Sequence, residues 1–420
     1  MFVDKFLLPR FLVLELVLAS HFFQFTKACL LNRGSGPGDG TESCLIPLDS
    51  SDWKHKPLFY TQNRDWIYPD AGRILRVVSG ETILLSCPGS SLIYSSSPSL
   101  LVLCKGTELQ VKNTKVRESQ LGCVKPPRNE ERRTGEPCGP LQVGEIVELG
   151  YKEDFSFKPV LSFCHEVDSE QTYYTQHTLR GSTLQFNSID QTRPAFKEGK
   201  LFYKKISASA TYSQRNQEKV LTSILGQDRS RELLNSSFLA RGHLAPDADF
   251  LYQDWQDATY YYGNIAPQWQ SINNGNWRRL ENSIRTKGKK LYRDLEIFSG
   301  TLGILQVNGE TGLQEIWLGT DGSKKYIPVP EYFFKIIVDS VESKSIGIFC
   351  TNNPFLERVL RSTVLCTDIC DETGWGDKFK NRFEVGDGLI FCCSPAEMYS
   401  LVPWVGASSL RLQNYTVLHF

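Results

Sequence analysis

The sequence predicts an α+β chain, a mixed or antiparallel sheet with helices, preceded by a small β-rich module carrying disulfides. Three observations point there. Short β-type runs bounded by Gly, Pro and Ser fill residues 44–125; twelve cysteines all follow an apolar N-terminal segment; and from about residue 145 β-type runs alternate with stretches of helical period. At 420 residues the chain is long enough for two domains. Its 47 Lys plus Arg balance 47 Asp plus Glu, so net charge argues neither for nor against a polyanionic partner. Any such partner must be met by a local patch.

Residues 1–28, MFVDKFLLPRFLVLELVLASHFFQFTKA, place Lys5 and Arg10 early, then an apolar run, then Ala28 at a candidate cleavage point, the layout of a secretory signal peptide. Pro9, Arg10, Glu15 and His21 interrupt the run, leaving no stretch of about 18 apolar residues to span a membrane. A secreted, extracellular protein without stable membrane association is expected. Seven of the cysteines (29, 44, 87, 104, 123, 138 and 164) precede residue 165 and five (350, 366, 370, 392 and 393) follow residue 349. An even number behind a signal peptide reads as disulfides, and complete pairing requires at least one bridge between the two ends. Zinc fits less well, because no CxxC pair occurs and Cys366 and Cys370 have no nearby histidine. Cys392 and Cys393 are each expected to bridge elsewhere, since a vicinal disulfide is strained. Sequons at Asn235 and Asn414 permit glycosylation.

Residues 30–43, LLNRGSGPGDGTES, read as a leader. The runs RILRVV (73–78), TILLSC (82–87), LLVLC (100–104) and TELQVK (107–112) read as strands of an accessory module over 29–140. KPPRNEERRTGEPCGP, 125–140, is charged and rich in Pro and Gly, a natural boundary before a second domain over 145–420. There VLSFCHEV, YFFKIIVD, SIGIFC and GLIFCC read as strands, YFFKIIVD as one buried on both faces, and 274–293 and 354–362 show helical period.

Candidate chemistry begins in FLARGHLAPDADF, 238–250. His243 is either a catalytic base or an ordinary core imidazole, and Arg241 either contacts phosphate or pairs with an acid. His165 and His177, in β-like context, read as structural. Downstream, YYGNIAPQWQSINNGNWRRLENSIRTKGKKLYRD (261–294) carries a helix starting near 274–276, with an Asn N-cap candidate and Trp277, Leu280 and Ile284 at helical spacing. Trp277, Glu281 and Arg285 share one face, which alone is most simply a surface ion pair. Arg278, Arg279, Arg285, Lys287, Lys289, Lys290 and Arg293 surround the single acid Glu281, either as a solvated helix face or as phosphate contacts. Asn273 precedes Glu281 by eight residues, about 12 Å in a straight helix, so the two cannot both bind one small ion directly. An amide oxygen in the loop before the first turn, plus waters, suits a hard ion such as Mg²⁺.

Taken in order and separation, ARGHLAP, GNIAPQ and NNGNWRRLENSIR resemble the DNA/RNA non-specific endonuclease family, with a ββα-metal (His-Me finger) core. Over roughly 150–400 the chain is most similar to secreted animal members, including insect enzymes that degrade double-stranded RNA. The resemblance implies that His243 is the general base and Asn273 the metal's direct protein ligand, with Glu281 holding metal-bound water. Arg285 would stabilise the phosphate in the transition state, and Arg193, in QTRPAFKEG, would be a second clamp. Arg241, Arg278, Arg279 and Lys287 would contact the substrate backbone. The implied cofactor is Mg²⁺, with Mn²⁺ as a substitute. The implied substrate is RNA, DNA or both, double strands included, cut to 5′-phosphate ends with little sequence specificity because the backbone is gripped. The sequence departs from the family at Ala240, where Asp-Arg-Gly-His is usual. The missing carboxylate bears on how the metal is held and on the pKa of His243. The alternative is a secreted nucleic-acid-binding protein with weak or lost catalysis.

Overall fold

Strand formation follows the aliphatic and β-branched runs. The computed structural model describes residues 42–420 except 51, 71, 154–155, 187–192, 357–358, 360 and 407–410, so the signal-peptide reading, Cys29 and most of the leader lie outside the described residues. The first strands are β1 (Ser43–Pro47), β2 (Leu58–Thr61), β3 (Ile74–Val78), β4 (Thr82–Ser86), β5 (Ser99–Lys105), β6 (Glu108–Val111) and β7 (Thr114–Lys115). β1 pairs with β3, and the other five form a sheet in the order β2-β4-β5-β6-β7. Cys44–Cys104 and Cys87–Cys123 close this small module.

The remaining strands are β8 (Glu130–Cys138), β9 (Gly144–Lys152), β10 (Phe157–Glu166), β11 (Gln171–Arg180), β12 (Leu239–His243), β13 (Ile265–Trp269), β14 (Asp294–Leu302), β15 (Gln306–Gly309), β16 (Gly312–Glu315), β17 (Trp317–Asp321), β18 (Lys324–Pro328), β19 (Tyr332–Asp339), β20 (Lys344–Thr351), β21 (Ile390–Cys393) and β22 (Thr416–Val417). Nine of them build one sheet in the order β21-β20-β19-β14-β11-β10-β9-β8, antiparallel throughout except for β22, which runs parallel on β20. The fold is α+β with a mixed sheet, as expected. Every residue of β19 is buried, as its unbroken apolar run implies, and one of them is Lys335. The segment 125–140, expected as a boundary, contains β8, the outermost strand of the large sheet.

Ser43–Phe420 form one compact unit. Leu58, Tyr60 and Leu84 of the small module belong to the same apolar core as β9, β11 and β14. Trp66 packs edge-on against Trp255 with ring centres 4.6 Å apart, and Ser86 donates to the Glu153 carboxylate at 2.7 Å. No described helix is long and apolar enough to cross a membrane.

One expectation fails. The 354–362 segment has no α-helix among its described residues, and only a 3₁₀ turn follows at Arg361–Thr363. A short apolar periodicity without caps did not outweigh the loop's tertiary setting. The described bridges are local, with Cys138–Cys164, Cys366–Cys393 and Cys370–Cys392 completing them, and Cys350 is a buried free thiol; the bridge expected between the two ends of the chain falls to Cys29, which lies outside the described residues. Cys392 and Cys393 do bridge separately. Asp368, Cys370 and Cys392 lie close enough to hold an ion, but the two sulfurs are bonded to each other and leave no thiolate.

Replacing both Cys138 and Cys164 by Ser opens a loop of sequence separation 26 between β8 and β10, and is expected to cost about 3 kcal/mol of unfolding free energy through the freed denatured chain. Urea titration of the oxidised protein checks this, and an unshifted midpoint contradicts it.

Candidate active site

β12 and β13 pair antiparallel in the register Leu239↔Trp269, Ala240↔Gln268, Arg241↔Pro267, Gly242↔Ala266 and His243↔Ile265. A short turn (Gln270–Ile272), a π-turn (Asn273–Trp277) and then the basic helix (Arg278–Leu291) follow, so two strands and a helix succeed one another. Gly242 is dictated by close approach, since a Cβ there would lie 2.6 Å from Gln268 Oε1. Gly275 kinks the entry to the helix (φ −83°, ψ −124°), and a Cβ there would lie 2.6 Å from the Asp387 carbonyl oxygen. The expected Asn N-cap is not used: no side chain caps the helix at Trp277, and Asn276 donates instead to the Asn381 and Gly388 carbonyls. Asn273 therefore stands in a helical turn rather than a loop, on a segment separate from that of Glu281.

His243 is not a satisfied core imidazole. His165 shows what one looks like, with Nδ1 3.0 Å from Thr172 Oγ1 and Nε2 3.1 Å from Glu170 Oε2. The Nε2 of His243 is buried with no partner, and its ring lies against Tyr260 (5.0 Å) and Phe196 (5.2 Å). Burial pulls its pKa down to about 4, helped by Arg193 and Lys335 and opposed by Asp247. The ring is therefore neutral at neutral pH.

Around it lies a buried ionic cluster. Burial raises the Glu281 carboxyl to about 7, against the pull of Lys335 and Arg285 and with the repulsion of Asp249 and Asp247. Asp249 accepts from Arg285 Nη1 at 2.8 Å and from His177 Nε2 at 2.9 Å; burial alone would raise its pKa, but these partners hold it below the usual value. Lys335 Nζ donates to the Leu244 carbonyl (2.8 Å) and to Ser299 Oγ (2.7 Å) and lies 4.7 Å from the Trp277 ring centre. Asp247 accepts from the Tyr260 hydroxyl at 2.7 Å.

Arg193 thus acts on the charge of His243 and Arg285 on that of Glu281, and Asp247 and Lys335 act on both His243 and Glu281. Arg241 has an aromatic setting, donating to the Tyr262 hydroxyl at 3.0 Å beside the rings of Phe196, Tyr212 and Tyr262. Arg278 is exposed. Two expected substrate contacts stand elsewhere. Arg279 donates to Asp387 (2.7 Å) and Asn276 (2.9 Å), and Lys287, about 120° around the helix from Glu281, faces Lys290, Lys344, Asp339 and Glu342. The basic run therefore splits between two sides of the helix. Sequence reasoning did not find Asp247, Asp249, His177, Tyr260, Phe196 or Lys335 as members of the site. The available signals were two acids shortly after His243 and one lysine alone in an apolar strand.

Ala240 and Gly242 share the strand face covered by Gln268, whereas Arg241 and His243 share Phe196 on the other. Both amide atoms of Gln268 are buried and unpartnered opposite Ala240.

Residues 143–397 match the family model of the DNA/RNA non-specific endonucleases. The chain belongs to this family. A salivary endonuclease of Lutzomyia longipalpis is 27% identical over 392 residues, covering 91% of this chain and 89% of that protein. The salivary protein Tsal1 of Glossina morsitans morsitans is 25% identical over 78% of this chain and 81% of its own length. Mitochondrial endonuclease G of Homo sapiens is 30% identical over 101 residues, 23% of this chain and 32% of that protein. The family match spans β9 to β21, including the β12–β13 pair and the basic helix; the small module lies outside it.

The donor set fits a hard divalent ion. It offers an amide oxygen at Asn273 and a carboxylate at Glu281, and among the described residues neither is taken by a hydrogen bond. In metal-free protein Glu281 ionises near pH 7, against 4.5 as the ordinary value, so its contribution to stability is full below about 4.5 and lost as pH rises through 7. Glu281→Gln is therefore expected to stabilise the protein by about 2 kcal/mol at pH 8 in EDTA, the figure discounted because the group is only half-buried, and to gain nothing at pH 4.5. Urea unfolding at both pH values measures this, and equal effects at the two would refute it.

Proposed function

We propose that this protein is a secreted, Mg²⁺-dependent, sugar-non-specific endonuclease that hydrolyses phosphodiester bonds of RNA, DNA or both, double strands included, to 5′-phosphate ends. The observation that carries the reading is the neutral, unpartnered His243 imidazole, which shares Asp247 and Lys335 as charged neighbours with Glu281. Secretion is supported by the N-terminal apolar segment, by five disulfides, which persist in oxidising compartments, and by the salivary names of relatives. Asn235 and Asn414 are both exposed and accessible to glycosylation.

His243 takes the proton of the attacking water. Its lowered pKa keeps it unprotonated at working pH, and the hydroxyl–carboxylate pair Tyr260–Asp247 borders the ring from which the proton must leave. Arg285, aimed by Asp249 and behind it His177, presents a guanidinium whose fork matches two phosphoryl oxygens as charge grows on them. Arg193 adds a second positive charge from the opposite chain segment. Asn273 and Glu281 would hold the divalent ion, which supplies charge neutralisation on the phosphate and an acidified water for the leaving oxygen.

His243→Ala is expected to lower cleavage of duplex RNA or DNA by about 10²–10⁴-fold, and EDTA to abolish it. Gel assays with Mg²⁺ and Mn²⁺ decide: a variant as fast as wild type removes the base assignment, and a wild type that binds nucleic acid yet cuts nothing favours the binding protein. Ala240→Asp is expected to pair with the Gln268 amide and leave the Mg²⁺ concentration for half-maximal activity unchanged. A clear fall in that concentration would instead bring the carboxylate to the hydrated ion.

A further inference from the structure

We infer that the small N-terminal module forms part of the substrate track: a second phosphate-binding position, built by Arg128, Lys197 and Lys200, continues the nucleic-acid path away from the catalytic histidine. The inference rests on the endonuclease reading and adds a place on the module where the substrate backbone is held.

The position is a groove of about 220 Å³ whose walls include Arg128, Asn129, Lys197, Gly199, Lys200 and Tyr261. Its two sides come from different parts of the chain. Arg128 is held by the module: its backbone N–H donates to the Pro88 carbonyl at 2.8 Å, next to the Cys87–Cys123 bridge, and its side chain packs on Gly89. Lys197 and Lys200 belong to the loop that also delivers Arg193 and Phe196 to His243.

That loop is fixed rather than draped. Lys197 N–H donates to the Tyr260 carbonyl and its own carbonyl accepts from Tyr262, both at 2.9 Å, so the loop is tied to the residues flanking the site. Glu131 Oε2 accepts from the backbone of Lys200 (2.7 Å) and Leu201 (3.0 Å), and Gly199, at φ +78°, leaves room for that carboxylate. The Glu131 carboxylate is thereby turned into the protein, where burial raises its pKa, and Glu130 is the other acid of the groove. Burial pushes Lys197 below the usual lysine range, Asp257 pulls it back up, and Arg128 pushes it down from across the groove. Among the described residues none of the three cations is in an ion pair. Three fixed cations without ion pairs, beside two lining acids of which one is turned into the protein, are what a phosphate backbone can neutralise further, with release of its own counterions.

The spacing suits a strand leaving the site. Phe196 touches His243, and Lys200, four residues on, is within about 14 Å of it along the chain. At about 3.4 Å per nucleotide along a duplex strand, that reaches the phosphates up to about four nucleotides from the scissile one.

The test uses the full chain carrying Arg128→Gln and Lys200→Gln, with Lys325→Gln, a cation already paired with Glu315, as the charge control. Binding to a 30-base-pair DNA duplex is followed in EDTA by fluorescence anisotropy over a salt series, and cleavage kinetics are followed in Mg²⁺. The double variant is expected to lower the slope of log Kd against log salt by about 1.8, two phosphate contacts at about 0.9 each, and to raise KM on the duplex about tenfold at 0.1 M salt with kcat retained. A short oligonucleotide that ends at the catalytic pocket is expected to show no such KM penalty. Slope and KM equal to those of wild type overturn the second position while leaving the endonuclease reading intact. A wild type that neither binds nor cuts the duplex overturns both. A fall in kcat without a change in KM assigns the pair to the catalytic centre and also overturns the inference. Melting curves of the variants exclude misfolding as the cause of any loss.

Discussion

One buried ammonium ties the catalytic unit to the sheet. Lys335 rises from the middle of β19, bonds the carbonyl of Leu244 directly after His243, bonds Ser299 on β14, and lies beside Trp277 at the mouth of the basic helix. Both strand end and helix start are therefore registered on the large sheet through a single side chain. Burying that charge costs several kcal/mol unless it is compensated, and the compensation comes from Glu281 and Asp249, the acids that border the site. The electrostatics of catalysis and of folding are thus one arrangement. Removing the Asp249 carboxylate takes a buried counter-charge from both the lysine and Arg285, and removing the lysine leaves the acids to repel one another.

Several of the buried polar atoms left unsatisfied lie on the strands of this arrangement. His243 Nε2, His177 Nδ1 and both amide atoms of Gln268 are buried without partners, and all lie on β11, β12 or β13. Buried groups without partners cost about 1–3 kcal/mol each, so they persist where the surrounding structure holds them in place. Here that support is a nine-stranded sheet and five local disulfides. Ala240 belongs to this account. Strand alternation sets it against Gln268 and away from the imidazole, so the absence of an acid at 240 is first a matter of an unpaired amide, and only through β13 a matter of the metal's surroundings.

Much of this was legible in the sequence, and the divide is physical. The strands at 73–78, 82–87, 100–104 and 107–112 and the fully buried β19 follow from local patterning that the tertiary fold does not contest. The helix bearing Glu281 was legible from its period, but its entrance was not, because the kink at Gly275 is imposed by a carbonyl 112 residues later. The cysteine count could not show the five described pairings, which are set by which segments are neighbours in the fold, nor that Cys350 is enclosed beneath β21 and the Gly388 turn. The cluster of Lys335, Asp249 and His177 escaped because its members come from two strands and a turn far apart in sequence, and nothing in the local pattern of any one names the others.

Net neutrality conceals how the charges are divided. Among the described residues, Arg279 is paired with Asp387, Arg285 with Asp249, Arg293 with Glu342 and Asp339, and Arg382 with Asp368 and Asp371. These guanidiniums lock elements together. Arg128, Lys197 and Lys200 have no such partner among the described residues, and all three line the groove beside the loop of Arg193 and Phe196. A chain with equal numbers of acids and bases can therefore present a positive path, because many of its acids are held in ion pairs that join elements while a subset of its bases has no such partner. On that view the small module matters less as a separate domain than as the wall that carries Arg128, and the strength of the path depends on salt even though the protein as a whole carries no net charge.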